Sequence, residues 1–210
     1  MSSSDLKLYY FNLQARGELT RLILAVAGQK YEDIRFDFHQ WPEFKSKMIL
    51  GQCPVLELAD GTQIPQSLAI ARYVAREAGL AGANNLEAAK IDVVVDTQRD
   101  INETFYGKVF FEKDETIKAT ELEKFLNETL VKHVENLDKL KKAYSQNESY
   151  FVGDKLSWAD LYVFQSIEVL LKAVPDVKDN FGDKFKSLID PIHANANLKA
   201  YLDSRPATEF

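Results

Sequence analysis

Apolar positions set the rhythm of the chain. Residues 7–11 form a β-rich run, closed by Asn12. Leu19, Leu22, Ile23 and Val26 then recur at helical spacing and predict a helix over 18–27. Residues 31–38 alternate as a strand, and 42–48 predict a short helix with Pro42 near its first turn. Residues 54–58 predict another strand. Asp60-Gly61 is a turn signal leading to a short partner strand at 62–64. Helical periodicity returns over 67–78, where Ile70, Tyr73 and Val74 share a face. Strand, helix, strand, helix, two strands and a helix make an α/β unit. The small-residue stretch 79–85 predicts a linker, and beyond it no strand pair is evident. Residues 87–111 and 119–144 predict long helices. Ser157 to Asp160 has capping-box spacing before an apolar helix at 161–171, and shorter helices follow at 184–192 and 197–204. The expectation is an α/β domain over 1–80 and an all-helical domain over 84–210.

Composition narrows the class. The 210 residues are 46% apolar and 28% charged, enough for a core without staples. Cys53 is the sole cysteine, which excludes an intrachain disulfide and multi-cysteine metal sites. A net charge of −6 argues against nucleic-acid binding. The apolar run 22–27 is too short to span a bilayer, and Asp5 stands where a signal peptide is basic. The expectation is a cytoplasmic protein that binds neither membrane nor nucleic acid.

General chemical templates return little. There is no phosphate loop, dinucleotide fingerprint, zinc-protease motif or serine nucleophile elbow. His39, His133 and His193 are scattered, and three Asn-x-Ser/Thr sequons (Asn102, Asn127 and Asn147) carry no weight without a secretory signal. Spacing alone names no reaction.

Resemblance does. Lys7-Leu8-Tyr9-Tyr10-Phe11-Asn12 with Arg16-Gly17-Glu18 resembles the start of sigma-class glutathione transferases. So do Trp41-Pro42-Glu43-Phe44-Lys45, Gly51-Gln52-Cys53-Pro54, Gln66-Ser67, Val95-Asp96-Thr97, the segment from Val152 to Asp160, and Arg205-Pro206. The likeness runs in order over nearly the whole chain. It implies a thioredoxin-like N-terminal domain, an all-helical C-terminal domain, a homodimer, and glutathione as co-substrate without a metal.

The resemblance also assigns roles. Tyr10 matches the catalytic tyrosine, whose neutral phenol donates to the glutathione sulfur and favours the thiolate. Its neighbour Tyr9 should point to the opposite face. Trp41, Lys45 and Gln52 match contacts to the glycine end, and the backbone of Cys53, before an expected cis Pro54, pairs with the cysteinyl part. Gln66 and Ser67 match the γ-glutamyl pair; from the residues alone Ser67 reads as a helix N-cap. Arg16 matches an arginine near sulfur, with a structural ion pair at the helix start as the second reading. Asp100 matches an acid that reaches the γ-glutamyl ammonium across the dimer, and by itself reads as a solvent-facing carboxylate. Phe11, Leu13, Gly107, Tyr162 and Phe210 match the lining of an apolar substrate pocket. Some members isomerise a prostaglandin endoperoxide, but those place tryptophan at Gly107 and a third aspartate at Arg99, beside Asp96 and Asp100. Conjugation of hydrophobic electrophiles is therefore the expected activity, with peroxidase or isomerase side activity open. A non-catalytic carrier of hydrophobic ligands, or a crystallin-like structural protein, is the alternative on the same fold.

Overall fold

The computed structural model describes residues 6–208. It divides into two compact units: the chain up to Ala81 together with the segment from His193 onward, and Gly82–Ile192.

The first unit runs β1 (Lys7–Phe11), α1 (Ala15–Val26), β2 (Glu32–Phe36), a 3-10 turn (Phe38–Gln40) leading into α2 (Trp41–Lys45), β3 (Val55–Glu57), β4 (Gln63–Pro65) and α3 (Ser67–Glu77). The sheet order is β2-β1-β3-β4. β2 lies parallel to β1, which requires the crossover helix α1 between them; the other pairs are antiparallel. The Asp60-Gly61 turn is built as its residues dictate. Gly61 takes a positive φ of 84°, and Asp60 accepts the Thr62 N–H at 2.9 Å. Alternation along β1 buries Leu8 and Tyr10 on one face and leaves Lys7, Tyr9 and Phe11 half-covered on the other.

The last helix, α9 (Ala196–Ser204), packs on α1 in this first unit. The end of the helical stretch expected over 84–210 thus lies against α1, and the reason is chemical. Glu18 of α1 is buried and needs partners. The Tyr201 hydroxyl donates to both its oxygens at 3.1 Å, and Arg205 bonds it at 3.0 Å. Arg21, one turn on and fully buried, donates to the Leu13 carbonyl at 2.7 Å and pairs with Asp33 at 3.1 Å. This cluster fixes the loop through which the chain leaves β1.

The second unit is helical: α4 (Asn85–Phe105), α5 (Glu115–Lys124), α6 (Leu130–Tyr144), α7 (Trp158–Ala173) and α8 (Val177–His193). Asn84 caps α4 by accepting the Leu86 and Glu87 N–H groups, each at 3.0 Å. Two turns depart from α geometry. α4 continues into a π-helical turn over Tyr106–Phe110, and another over Phe125–Thr129 joins α5 to α6. Phe125 and Leu130, at the start of this wider turn and just after it, are both buried. At the start of α7, Asp160 accepts the Ser157 N–H at 2.7 Å, the Ser157 hydroxyl at 2.6 Å and the Phe151 N–H at 2.8 Å. The capping box thus starts α7 three residues before the expected 161. Among the described residues no helix is long and apolar enough to cross a membrane.

Candidate active site

Strand register decides which residues meet. Tyr9 pairs with Val55, and Val55 in turn pairs with Pro65. Continuing each strand by one or two residues brings Tyr10 and Phe11, Cys53 and Pro54, and Gln66 and Ser67 to the same end of the sheet. α2 follows from the parallel neighbour β2, with Trp41 stacked 5.7 Å from Phe36 and tilted against Phe11 at 5.5 Å. The first unit therefore gathers most of the expected residues from distant parts of the sequence.

Tyr10 is buried against the first turn of α1. Its hydroxyl accepts the Arg16 backbone N–H at 3.2 Å, which leaves its own proton available to a further acceptor. Burial pushes the phenol above its ordinary pKa, and the Arg16 N–H works against that. The group is therefore a neutral O–H donor at neutral pH. Arg16 contributes this contact through its backbone, while its side chain is exposed. The turn that aims the N–H is unusual, since Ala15 adopts a positive φ of 32°. Tyr9 occupies the other face, with its ring 6.4 Å from Phe44 and its hydroxyl 3.5 Å from Glu57.

The remaining candidates of the first unit lie on β3, α2 and α3 or in the segments next to them. The Cys53–Pro54 peptide is cis. Burial pushes the half-buried Cys53 thiol up to about 11, opposed by a hydrogen bond from the Phe11 N–H. A thiol held so is protonated and a poor nucleophile. Lys45 is exposed at the end of α2, with its aliphatic stem alongside Gly51, and Gln52 is exposed just beyond. At α3 the N-cap is Gln66, not Ser67, which is the first helical residue. Gln66 takes φ 74°, ψ 113° and makes no side-chain cap bond to the first amides of this eleven-residue helix. Such a terminus attracts a carboxylate.

Other candidates lie in the second unit. Asp100 is exposed on α4. Arg99 beside it pairs with Asp96 at 3.7 Å and Glu103 at 3.5 Å on its own helix. Gly107 falls in the π-helical turn with open space where a side chain would project. Tyr162 is half-buried on α7. Leu13 sits in the loop after β1, and Phe210 lies outside the described residues. Sequence reading missed Gly17 and Arg21. Their signal was weak, namely a glycine and a buried-face arginine within an otherwise ordinary helix.

Comparison with known proteins gives a consistent result. The family model described as "Glutathione S-transferase, N-terminal domain" matches residues 4–76, and "Glutathione S-transferase, C-terminal domain" matches 99–205. A glutathione S-transferase of Anopheles gambiae is 35% identical over 98% of each chain. S-crystallin SL11 of Nototodarus sloanii is 33% identical over 97% of this chain and 98% of its own. Among solved structures, prostaglandin synthase D of Nilaparvata lugens superposes with a TM-score of 0.86 at 36% identity, covering 97% of this chain and all of that one.

Proposed function

The chain belongs to the glutathione S-transferase family, and we propose from that premise that Tyr10 activates glutathione for attack on hydrophobic electrophiles. A free thiol has a pKa of about 8.5 and is only a few per cent ionised at neutral pH. A neutral O–H aimed at sulfur stabilises the anion more than the thiol and lowers that pKa. The thiol proton leaves to solvent, the thiolate forms a carbon–sulfur bond, and the electrophile's leaving group or π-electron pair takes the displaced charge. The observation that carries the reading is the Tyr10 hydroxyl, which accepts the Arg16 N–H and keeps its proton to give.

The same sheet end suits the rest of glutathione. The N-terminal amides of α3, which no side chain caps, suit the γ-glutamyl carboxylate together with Ser67 and Gln66. The extended backbone at Cys53 suits the cysteinyl peptide, while Trp41, Lys45 and Gln52 suit the glycine end. Arg16 adds positive charge near sulfur. Phe11 and Leu13 offer apolar surface beside it; Gly107, Tyr162 and Phe210 are carried over from the family's pocket. The γ-glutamyl ammonium needs an anion, and in a cytoplasmic homodimer the second copy's Asp100 supplies it.

Turnover of glutathione with a chromogenic aryl halide tests the reading directly. Conjugation at a rate well above the uncatalysed one is expected. Tight binding of a hydrophobic dye with no turnover would favour a carrier instead. Similarity to an S-crystallin keeps a structural role as the second reading. That role predicts neither turnover nor glutathione affinity.

A further inference from the structure

We infer that Gly17 is a positioning residue for the thiol donor, because its missing side chain is the space in which the Tyr10 ring lies. The inference rests on the reading of Tyr10 as the donor to sulfur. A Cβ built on Gly17 falls 2.4 Å from Tyr10 Cδ1, 2.8 Å from Cγ and 3.1 Å from Cε1. Ordinary contact begins near 3.4 Å, so the ring must retreat by about 1 Å. Cγ is joined to the Cβ anchored in β1, so turning the outer end of the ring cannot relieve the overlap. The whole side chain must shift or leave its rotamer.

Nothing else at this position calls for glycine. Gly17 lies inside α1 and is not among the glycines with positive φ. In a helix interior alanine is the better helix former. The close approach of the ring accounts for the residue. It also completes a pose held on several sides. The hydroxyl receives the Arg16 N–H at 3.2 Å, the Arg21 guanidinium carbon lies 5.8 Å from the ring centroid, and Phe11 meets the ring edge-on at 5.8 Å. Arg16, Gly17 and Arg21 belong to the first two turns of one helix, so α1 is the mould of the catalytic phenol. Gly17 itself touches no substrate.

The test is a double-mutant cycle. Gly17→Ala should lower kcat by about 10- to 100-fold, the range expected from a 1 Å misplacement of a reacting group. The KM for glutathione should stay within about three-fold, since the α3 terminus and α2 are untouched. In a Tyr10→Phe background Gly17→Ala should cost less than about two-fold more, because no hydroxyl remains to misplace. Wild-type kcat in Gly17→Ala, or an equal loss in both backgrounds, would overturn the inference while leaving Tyr10 as donor. Full turnover in Tyr10→Phe alone would remove the donor reading itself, and the inference with it. Should Gly17→Ala not fold, the contact is read in the wild type as a nuclear Overhauser effect between the Gly17 α-protons and the Tyr10 ring. Its presence supports the packing, and its absence overturns it.

Discussion

Arg21→Met isolates the buried charge that holds the exit from β1. The guanidinium is fully buried, and methionine replaces its stem with apolar volume but none of its donors. Two of its bonds have good geometry: to the Leu13 carbonyl at 2.7 Å and to Asp33 at 3.1 Å. The contacts to Glu18 at 3.4 Å and the Phe11 carbonyl at 3.5 Å are long and count for little. Hydrogen bonds to charged groups contribute about 1.5–3 kcal/mol each. Glu18 is not orphaned by the change, since Arg205 and Tyr201 still hold it. A net loss of about 3–4 kcal/mol follows, at the lower end of what removing one partner of a buried pair costs. For a chain of this size that lowers the thermal midpoint by about 6–16 °C. Urea unfolding of Arg21→Met beside Lys184→Met is the assay. Lys184 pairs with Asp138 at 3.2 Å with both side chains largely in solvent, and its loss should cost at most about 1 kcal/mol. An Arg21→Met variant within about 1 kcal/mol of wild type would refute the claim that this cluster fixes the β1 loop.

Three further outcomes are expected. Asp100→Asn should raise the KM for glutathione several-fold and leave a dimer in sedimentation; a fully active monomer contradicts the shared site. Burial lowers the His133 pKa to about 4, below the roughly 6.5 of an unfolded chain. The unfolded state therefore binds the extra proton as pH falls from about 6.5 to about 4, and stability falls with it, by about 3 kcal/mol in full. His133→Gln should flatten that part of the stability–pH curve, and an unchanged slope contradicts a buried neutral imidazole. With its pKa near 11, Cys53 should alkylate about 100-fold more slowly at pH 7.5 than an unhindered thiol, and Cys53→Val should keep turnover within a few-fold. A stoichiometric glutathione adduct with loss of activity contradicts this.

What the residues announce, and what they conceal, follows from the range of the forces involved. β1 was legible to the residue, because strict alternation over 7–11 separates Tyr10 from Tyr9 on opposite faces. The Ser157–Asp160 box was legible because a cap is a local bond between residues three apart. The placement of α9 was not. Periodicity says that a helix buries one face, but only the distant Glu18 decides that the face belongs to α1. The π-helical turns escaped because a single turn of i→i+5 bonding leaves no period in the sequence. Ser67 reads as an N-cap until the backbone shows Gln66 at positive φ, a conformation rare for a residue with a side chain. Gly17 reads as a flaw in a helix until the Tyr10 ring is placed against it. The site residues themselves were named by resemblance; sheet register then explains why those of the first unit lie together.

In the proposed mechanism the Tyr10 hydroxyl holds glutathione as its thiolate. The direct measurement is an ultraviolet titration of the thiolate of enzyme-bound glutathione in wild type, Tyr10→Phe and Tyr9→Phe. Wild type should titrate at least about one unit below the free thiol's 8.5 or so, each unit being worth about 1.4 kcal/mol. Tyr10→Phe should return the titration towards the free value and lose about 10- to 1000-fold in turnover, as deletion of a single oriented donor does elsewhere. Tyr9→Phe should resemble wild type. A bound thiol that titrates identically with and without the Tyr10 hydroxyl, or one released by Tyr9→Phe instead, would contradict the account.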